Sequence, residues 1–118
     1  MEFYNKFISA PLTDRQSQSF RLVKRFPDKH PVIIDRCNRR DPSIDTHKYL
    51  VNNYSTVAEL MYLLRKKLKV DSSQAIFFFL DNTMVSGNMT ISQLNHTCNL
   101  KYNDGFTYLF YSLEHTFG

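Results

Sequence analysis

Two kinds of side chain and one chain end in this sequence could do covalent chemistry. The thiols are Cys37 and Cys98, and the imidazoles are His30, His47, His96 and His115. The cysteines form no C-x-x-C and the histidines are scattered. Neither set has metal-ligand spacing, so no metal site is expected. No Cys/His or Ser/His pair stands at a local motif spacing, which argues against an enzyme, although distant residues can meet in a fold. Cys37 lies beside Arg36, Arg39 and Arg40, a setting that can lower a thiol pKa; the expectation is an inert loop cysteine. The third group is the last residue. The sequence closes on "EHTFG", and a terminal glycine carboxylate is the least hindered acyl group a protein owns. With no Cβ on Gly118, its carbonyl can enter a narrow cleft and be attacked from either side. Phe117 would be a hydrophobic handle next to the reactive carbon. Nothing in this chemistry calls for a cofactor.

Such a terminus needs a body behind it, and the pattern of apolar residues describes one. Phe3, Phe7 and Ile8 could line one face of a short first helix. "TDRQ" (13–16) has the form of a capping box. It would open a helix to about Arg25, with Phe20, Leu22 and Val23 as its apolar contacts and Pro27 closing it. "PVIIDR" (31–36) reads as a strand, the polar stretch 37–47 as a loop, and "KYLV" (48–51) as a second strand ended by Asn52 and Asn53. "TVAE" (56–59) is another capping box, followed by Val57, Leu60, Met61, Leu64 and Leu68 at helical spacing. "RKKLK" (65–69) puts cations at that helix's carboxyl end, where the dipole favours them. "AIFFFLD" (75–81) reads as a strand buried on both faces. "TISQ" (90–93) starts a short helix with Ile91, Leu94 and Cys98, and "GFTYLFYS" (105–112) is the last strand. A strand pair, a crossing helix and further strands make a β-grasp arrangement, an α+β fold.

Composition sets bounds on function. At 118 residues, with ten Phe and seven Tyr, one domain with a modest core is expected. No apolar run approaches the roughly 20 residues of a membrane span. "MEFYNKFISA" lacks the order of a signal peptide, and Glu2 excludes myristoylation of a second-position glycine. Sequons at Asn53, Asn88 and Asn95 carry little weight without a secretory signal. Two reduced thiols suit the cytoplasm. Residues 1–69 hold 14 Lys/Arg against 7 Asp/Glu, and residues 70–118 hold 1 against 4. The front half is therefore the side to meet acidic partners or an anionic surface. No aromatic is interleaved with bases in an RNA-binding pattern, so no specific nucleic-acid binding is expected.

The ordered set "RFPDKHPVIIDR" (25–36), "IDTHKYLV" (44–51), "LLRKKLKV" (63–70), "QAIFFFLDNT" (74–83), "DGFTYLFYS" (104–112) and "EHTFG" (114–118) resembles the autophagy-related ubiquitin-like modifiers of the GABARAP type. The resemblance covers essentially the whole chain. It implies a single ubiquitin-like domain over 1–118: an N-terminal helical extension (1–27) of two added helices, a β-grasp core (28–113) and a flexible conjugation tail (114–118). It also implies that Gly118 is adenylated, passed between enzymes as a thioester and joined to the amine of phosphatidylethanolamine, with the product on autophagosome membranes. Activating and conjugating enzymes, a processing and deconjugating cysteine protease, and cargo receptors or adaptors would be the partners, with tubulin a further acidic candidate. Alternatives are a sister modifier joined to a protein lysine and an unconjugated microtubule- or nucleic-acid-binding adaptor.

By the same resemblance, the strand at 48–51 is a sheet edge that receives an extended peptide, with an aromatic residue and, three places later, an aliphatic one. Leu22, Pro31, Ile33, Lys48, Leu50 and Phe106 would form the aromatic pocket. Tyr49, Val51, Leu60 and Leu63 would form the aliphatic pocket, with Arg65 as a nearby cation. Spacing alone ranks Ile33, Leu60 and Leu63 as core, whereas an edge strand needs neither Lys48 nor Tyr49 for packing. Gln18, Thr46, Asn52, Ser55 and Leu113 depart from the usual family residues. The first two each remove a charge from the groove, and the others bear on the shape of the aliphatic pocket.

Overall fold

The computed structural model describes residues 1–113; Phe117 and Gly118, and the tail expected over 114–118, lie outside them. In chain order the elements are α1 (Glu2–Ile8), α2 (Leu12–Arg25), β1 (Lys29–Arg36), β2 (Lys48–Asn52), α3 (Val57–Leu68), β3 (Ile76–Leu80), β4 (Thr83–Met84), α4 (Ile91–Tyr102) and β5 (Thr107–Leu113). The strands form one sheet in the order β2-β1-β5-β3-β4. β1 and β5 pair in parallel at its centre, and the remaining pairs are antiparallel. This is the ubiquitin-like α+β arrangement, with two helices added in front.

Alternation along the central strands builds two cores. Val32, Ile34, Ile76, Phe78, Leu109 and Tyr111 point to one face, where Val57, Leu60 and Leu64 of α3 and Ile91, Leu94 and Cys98 of α4 cover them. Ile33, Phe106 and Tyr108 point to the other face, under Phe7 of α1 and Leu22 of α2. The capping boxes expected at Thr56/Glu59 and Thr90/Gln93 both form, so α3 and α4 start where the sequence signals them. α4 is as long as α3, at 12 residues.

Asp104 fastens the helical extension to the sheet. Its carboxylate accepts from Arg15 Nε at 2.9 Å, from the Phe106 amide at 3.0 Å and from the Tyr108 hydroxyl, while its carbonyl accepts from Ser19 Oγ. Burial first, and then the bond to Asp104, raise the Tyr108 pKa far above that of free tyrosine. Gly105 (φ +87°) completes the joint, because a Cβ there would sit 2.4 Å from Ser19 Oγ.

Four sequence expectations are corrected. The box at Thr13–Gln16 does not form. Pro11 is the N-cap and its carbonyl already accepts from Arg15 N at 3.2 Å, so Thr13 is inside the helix. Gln16 instead donates to Asn103 O at 2.7 Å. Phe20 and Val23 do not pack inward; Ser19 and Leu22 take that face. β3 is buried on one face only: Ile76, Phe78 and Leu80 enter the core, while Phe77 and Phe79 are half-buried. The covering helices α1 and α2 pack beside β1, toward the other side of the sheet. Finally, the sequence reading omits β4. Asp81 (φ 50°) and Asn82 (φ 66°) form a two-residue turn joining it to β3. Two adjacent Asx residues tolerate that left-handed backbone and were the available signal.

Candidate functional site

The register of β1 against β2 sorts the site. Pro31 faces Leu50 and Ile33 faces Lys48, while His30 faces Val51 and Val32 faces Tyr49. Directly opposed residues share a face. Lys48 and Leu50 therefore sit with Pro31 and Ile33 on the α1/α2 side, and Tyr49 and Val51 lie on the α3/α4 side with Leu60. The bonds Ile34 N to His47 O at 2.8 Å and Asn53 N to Asp28 O at 3.0 Å bracket the ladder. Between them, alternation turns the backbone groups of Tyr49 and Val51 toward β1 and those of Lys48 and Leu50 outward. Since β2 is the terminal strand, those outward groups form an edge that an extended chain could join.

On the α1/α2 side, α1 shapes the pocket more than the sequence reading expects. Ile33 and Phe106 are almost fully buried. Phe7 lies over them, its ring edge-on to Phe106 with centroids 5.0 Å apart. Lys48 Nζ sits 5.1 Å from the Phe7 centroid and donates to Gln18 Oε1 at 3.3 Å. Phe3 stacks on His47 at 4.4 Å. Phe3, Lys6, Phe7, Ala10, Gln18 and Lys48 line an open cavity of about 320 Å³. Of the six residues assigned to the aromatic pocket, Lys48 lines this cavity. Leu50 is exposed beside it, Leu22 is half-buried, and Pro31, Ile33 and Phe106 form buried support. The α1 residues were missed, although their helical spacing was visible; that they face Lys48 is set by tertiary packing alone.

On the other side, Tyr49, Leu60 and Leu63 meet as expected, joined by Ile34, Leu64 and Lys67 in a pocket with no room for a water molecule. Val51 packs on the same core. The Tyr49 hydroxyl is buried there without a hydrogen-bond partner among the described residues. Burial first, and Asp45 second, raise its pKa. Arg65 does not line this pocket; it donates to the carbonyls of Asp71 at 3.1 Å and Gln74 at 2.6 Å, bracing the turn before β3. The cation at the pocket is Lys67, which follows Leu60, Leu63 and Leu64 at helical spacing.

Other reactive groups are occupied elsewhere. Burial, reinforced by Asp41, pushes the Cys37 thiol up to about 11, so the neighbouring arginines do not activate it. Burial likewise takes Cys98 to about 11. A polar cavity of about 590 Å³ lies along α4, lined by His30, Ser92, Asn95, His96, Asn99, Leu100 and Asn103. Two of its amides are structural: Asn95 donates to Gly105 O and Thr107 Oγ1, and Asn99 accepts from Gly105 N. No group of three potential metal ligands occurs among the described residues, and no helix among them is long and apolar enough to cross a membrane.

Comparison with known proteins meets this geometry. Residues 14–118 match the family model described as autophagy protein Atg8 ubiquitin like. Autophagy-related protein 8c of Arabidopsis thaliana is 41% identical over 112 residues, covering 94% of this chain and 92% of that protein. Autophagy-related protein 8 of Kluyveromyces marxianus is 38% identical over 109 residues, covering 92% and 86%. The crystal structure of Trypanosoma brucei ATG8 superposes with a TM-score of 0.82 at 30% identity, covering 93% of this chain and 94% of that one.

Proposed function

The chain belongs to the autophagy protein Atg8 ubiquitin-like family, and from that premise we propose a modifier joined through Gly118 to phosphatidylethanolamine that recruits aromatic-x-x-aliphatic motifs at β2. The observation that carries the conjugation reading is a family match running through the glycine at 118. The chain is then the cargo of the chemistry and not its catalyst. ATP adenylates the Gly118 carboxylate with loss of pyrophosphate, and an enzyme thiol displaces AMP to give a thioester. The lipid amine then attacks the thioester carbonyl, forming an amide and releasing the thiol. Phe117 serves as the apolar handle for those enzymes and for the cysteine protease that processes or removes the modifier. The cytoplasmic protein thereby gains an autophagosome-membrane form.

Strand geometry supports the docking half of the reading. In an extended peptide, residues three apart point to opposite faces. A strand added to β2 would therefore send its aromatic residue toward Lys48 and the cavity at Phe7, and its aliphatic residue toward Tyr49, Leu60 and Leu63. Leu22, Pro31, Ile33 and Phe106 support the first site; Val51 flanks the second. Lys48 and Lys67, together with any reach left to the braced Arg65, favour acidic residues beside the anchors. Titration of an aromatic-x-x-aliphatic peptide tests this. Leu50→Ala should weaken binding by about 1–2 kcal/mol, and a peptide with one residue inserted between the anchors should not bind. Equal affinity for both peptides would remove the edge-strand mode. Reconstitution with the activating and conjugating enzymes, ATP and phosphatidylethanolamine liposomes tests the conjugation half.

A further inference from the structure

The pocket between β2 and α3 has a shape and a chemistry that together single out one kind of side chain. Its floor is Ile34, Leu60 and Leu64, all buried, and Tyr49 closes it from β2. Leu63 and Lys67, one helical turn apart on α3, line it and are exposed. In the free chain the pocket has no room for a water molecule. An entering side chain must therefore part its walls, and the exposed pair Leu63 and Lys67 can turn aside without disturbing the core. A straight chain needs a narrower gap than a branched one, so it displaces less of a close-packed wall.

The chemistry lies in the Tyr49 hydroxyl, which is sealed from solvent and has no hydrogen-bond partner among the described residues. Four of the side chains that share the pocket with it are hydrocarbon and the fifth, Lys67, only donates, so none can accept the phenol proton. Asp45 acts on the phenol through its charge without bonding to it. The hydroxyl has already lost its water in the free fold. An acceptor brought by a ligand therefore gains a hydrogen bond while only the ligand is newly dehydrated. A carboxylate or an amide would bring further polar atoms that hydrocarbon walls leave unpaired. A thioether sulfur accepts a hydrogen bond, leaves water at little cost, and sits on an unbranched, flexible chain.

We propose that this pocket selects methionine as the second anchor, with the Tyr49 hydroxyl donating to the methionine sulfur. Tyr49 is then the residue that sets specificity, and the preferred motif is aromatic-x-x-Met. This rests on the proposed docking of a strand at β2 and narrows it to one side chain.

The chain contains no tryptophan, so the emission of a tryptophan in the ligand reports binding directly. Three peptides with tryptophan as first anchor differ only at the second, which is methionine, norleucine or leucine. Norleucine keeps the length and shape of methionine and replaces sulfur by a methylene, so that pair isolates the acceptor. The wild type should bind the methionine peptide about threefold more tightly than the norleucine peptide, and the norleucine peptide more tightly than the leucine peptide. In Tyr49→Phe the methionine and norleucine affinities should converge, with leucine still the weakest of the three. Equal affinities for methionine and norleucine in the wild type, or an unchanged ratio between them in Tyr49→Phe, would overturn the proposal. So would leucine binding the wild type as tightly as methionine, an outcome that removes the specificity and leaves the docking reading standing. Binding of none of the three peptides would remove both.

Discussion

Tyr49 combines a phenol ring that closes a pocket with a hydroxyl that has no partner there. A buried donor left unpaired costs about 1–3 kcal/mol. Tyr49→Phe should therefore leave the free protein at least as stable to urea, and a clear loss of stability would show that the hydroxyl is satisfied in solution. Cys37 gives a second prediction at this scale. With its pKa pushed up to about 11, the thiol is protonated at neutral pH. Alkylation should be slow at pH 7 and should accelerate as pH rises toward that value; fast neutral labelling would contradict the burial argument. The exposure of Lys48 was legible in the sequence, because an edge strand has no packing use for a lysine, and Leu50 shares its face two places on. The orphan hydroxyl was not legible, since it exists only because α3 closes over β2. Nor was the exchange of Lys67 for Arg65, which depends on Arg65 being drawn off to the Asp71 and Gln74 carbonyls.

Among the elements, those with a local reason to start were the readable ones. Thr56 and Thr90 cap their helices because each box lies in four consecutive residues. Thr13 failed because Pro11, two places earlier, had already begun the helix. The outer face of β3 misled because an unbroken apolar run looks the same whether or not a helix covers both sides. The junction of α2 with the start of β5 joins residues more than 80 apart in the chain, Arg15 and Ser19 with Asp104, and it makes its own prediction. Gly105→Ala would force both a left-handed alanine and a clash with Ser19 Oγ. A loss above about 1 kcal/mol in denaturant unfolding is expected, accompanied by weaker protection of the α2 amides from exchange. Gly105→Ala should cost less in a Ser19→Gly background than in the wild type, because the clashing atoms are gone; an equal cost in both backgrounds would place the strain in the backbone alone.

For the molecule as a whole, the layout separates the proposed recruitment from the proposed attachment. The proposed docking edge is β2, at one margin of the sheet, whereas the described chain leaves from β5 at its centre. The end of β5 is held by Asp41, which accepts from the Leu113 amide at 3.0 Å and from Ser112 Oγ at 3.2 Å. Removing residue 118 touches none of the contacts described over 1–113, so it isolates the terminal acyl group from the fold. The sharpest measurement is intact-mass analysis of the wild type and of a variant lacking Gly118, after incubation with activating enzyme, conjugating enzyme, ATP and phosphatidylethanolamine liposomes. The account predicts a mass gain of one phosphatidylethanolamine less water for the wild type, and none for the variant at an unchanged melting temperature. Lipid attached to both proteins alike, or to neither under conditions that modify a family relative, would contradict it.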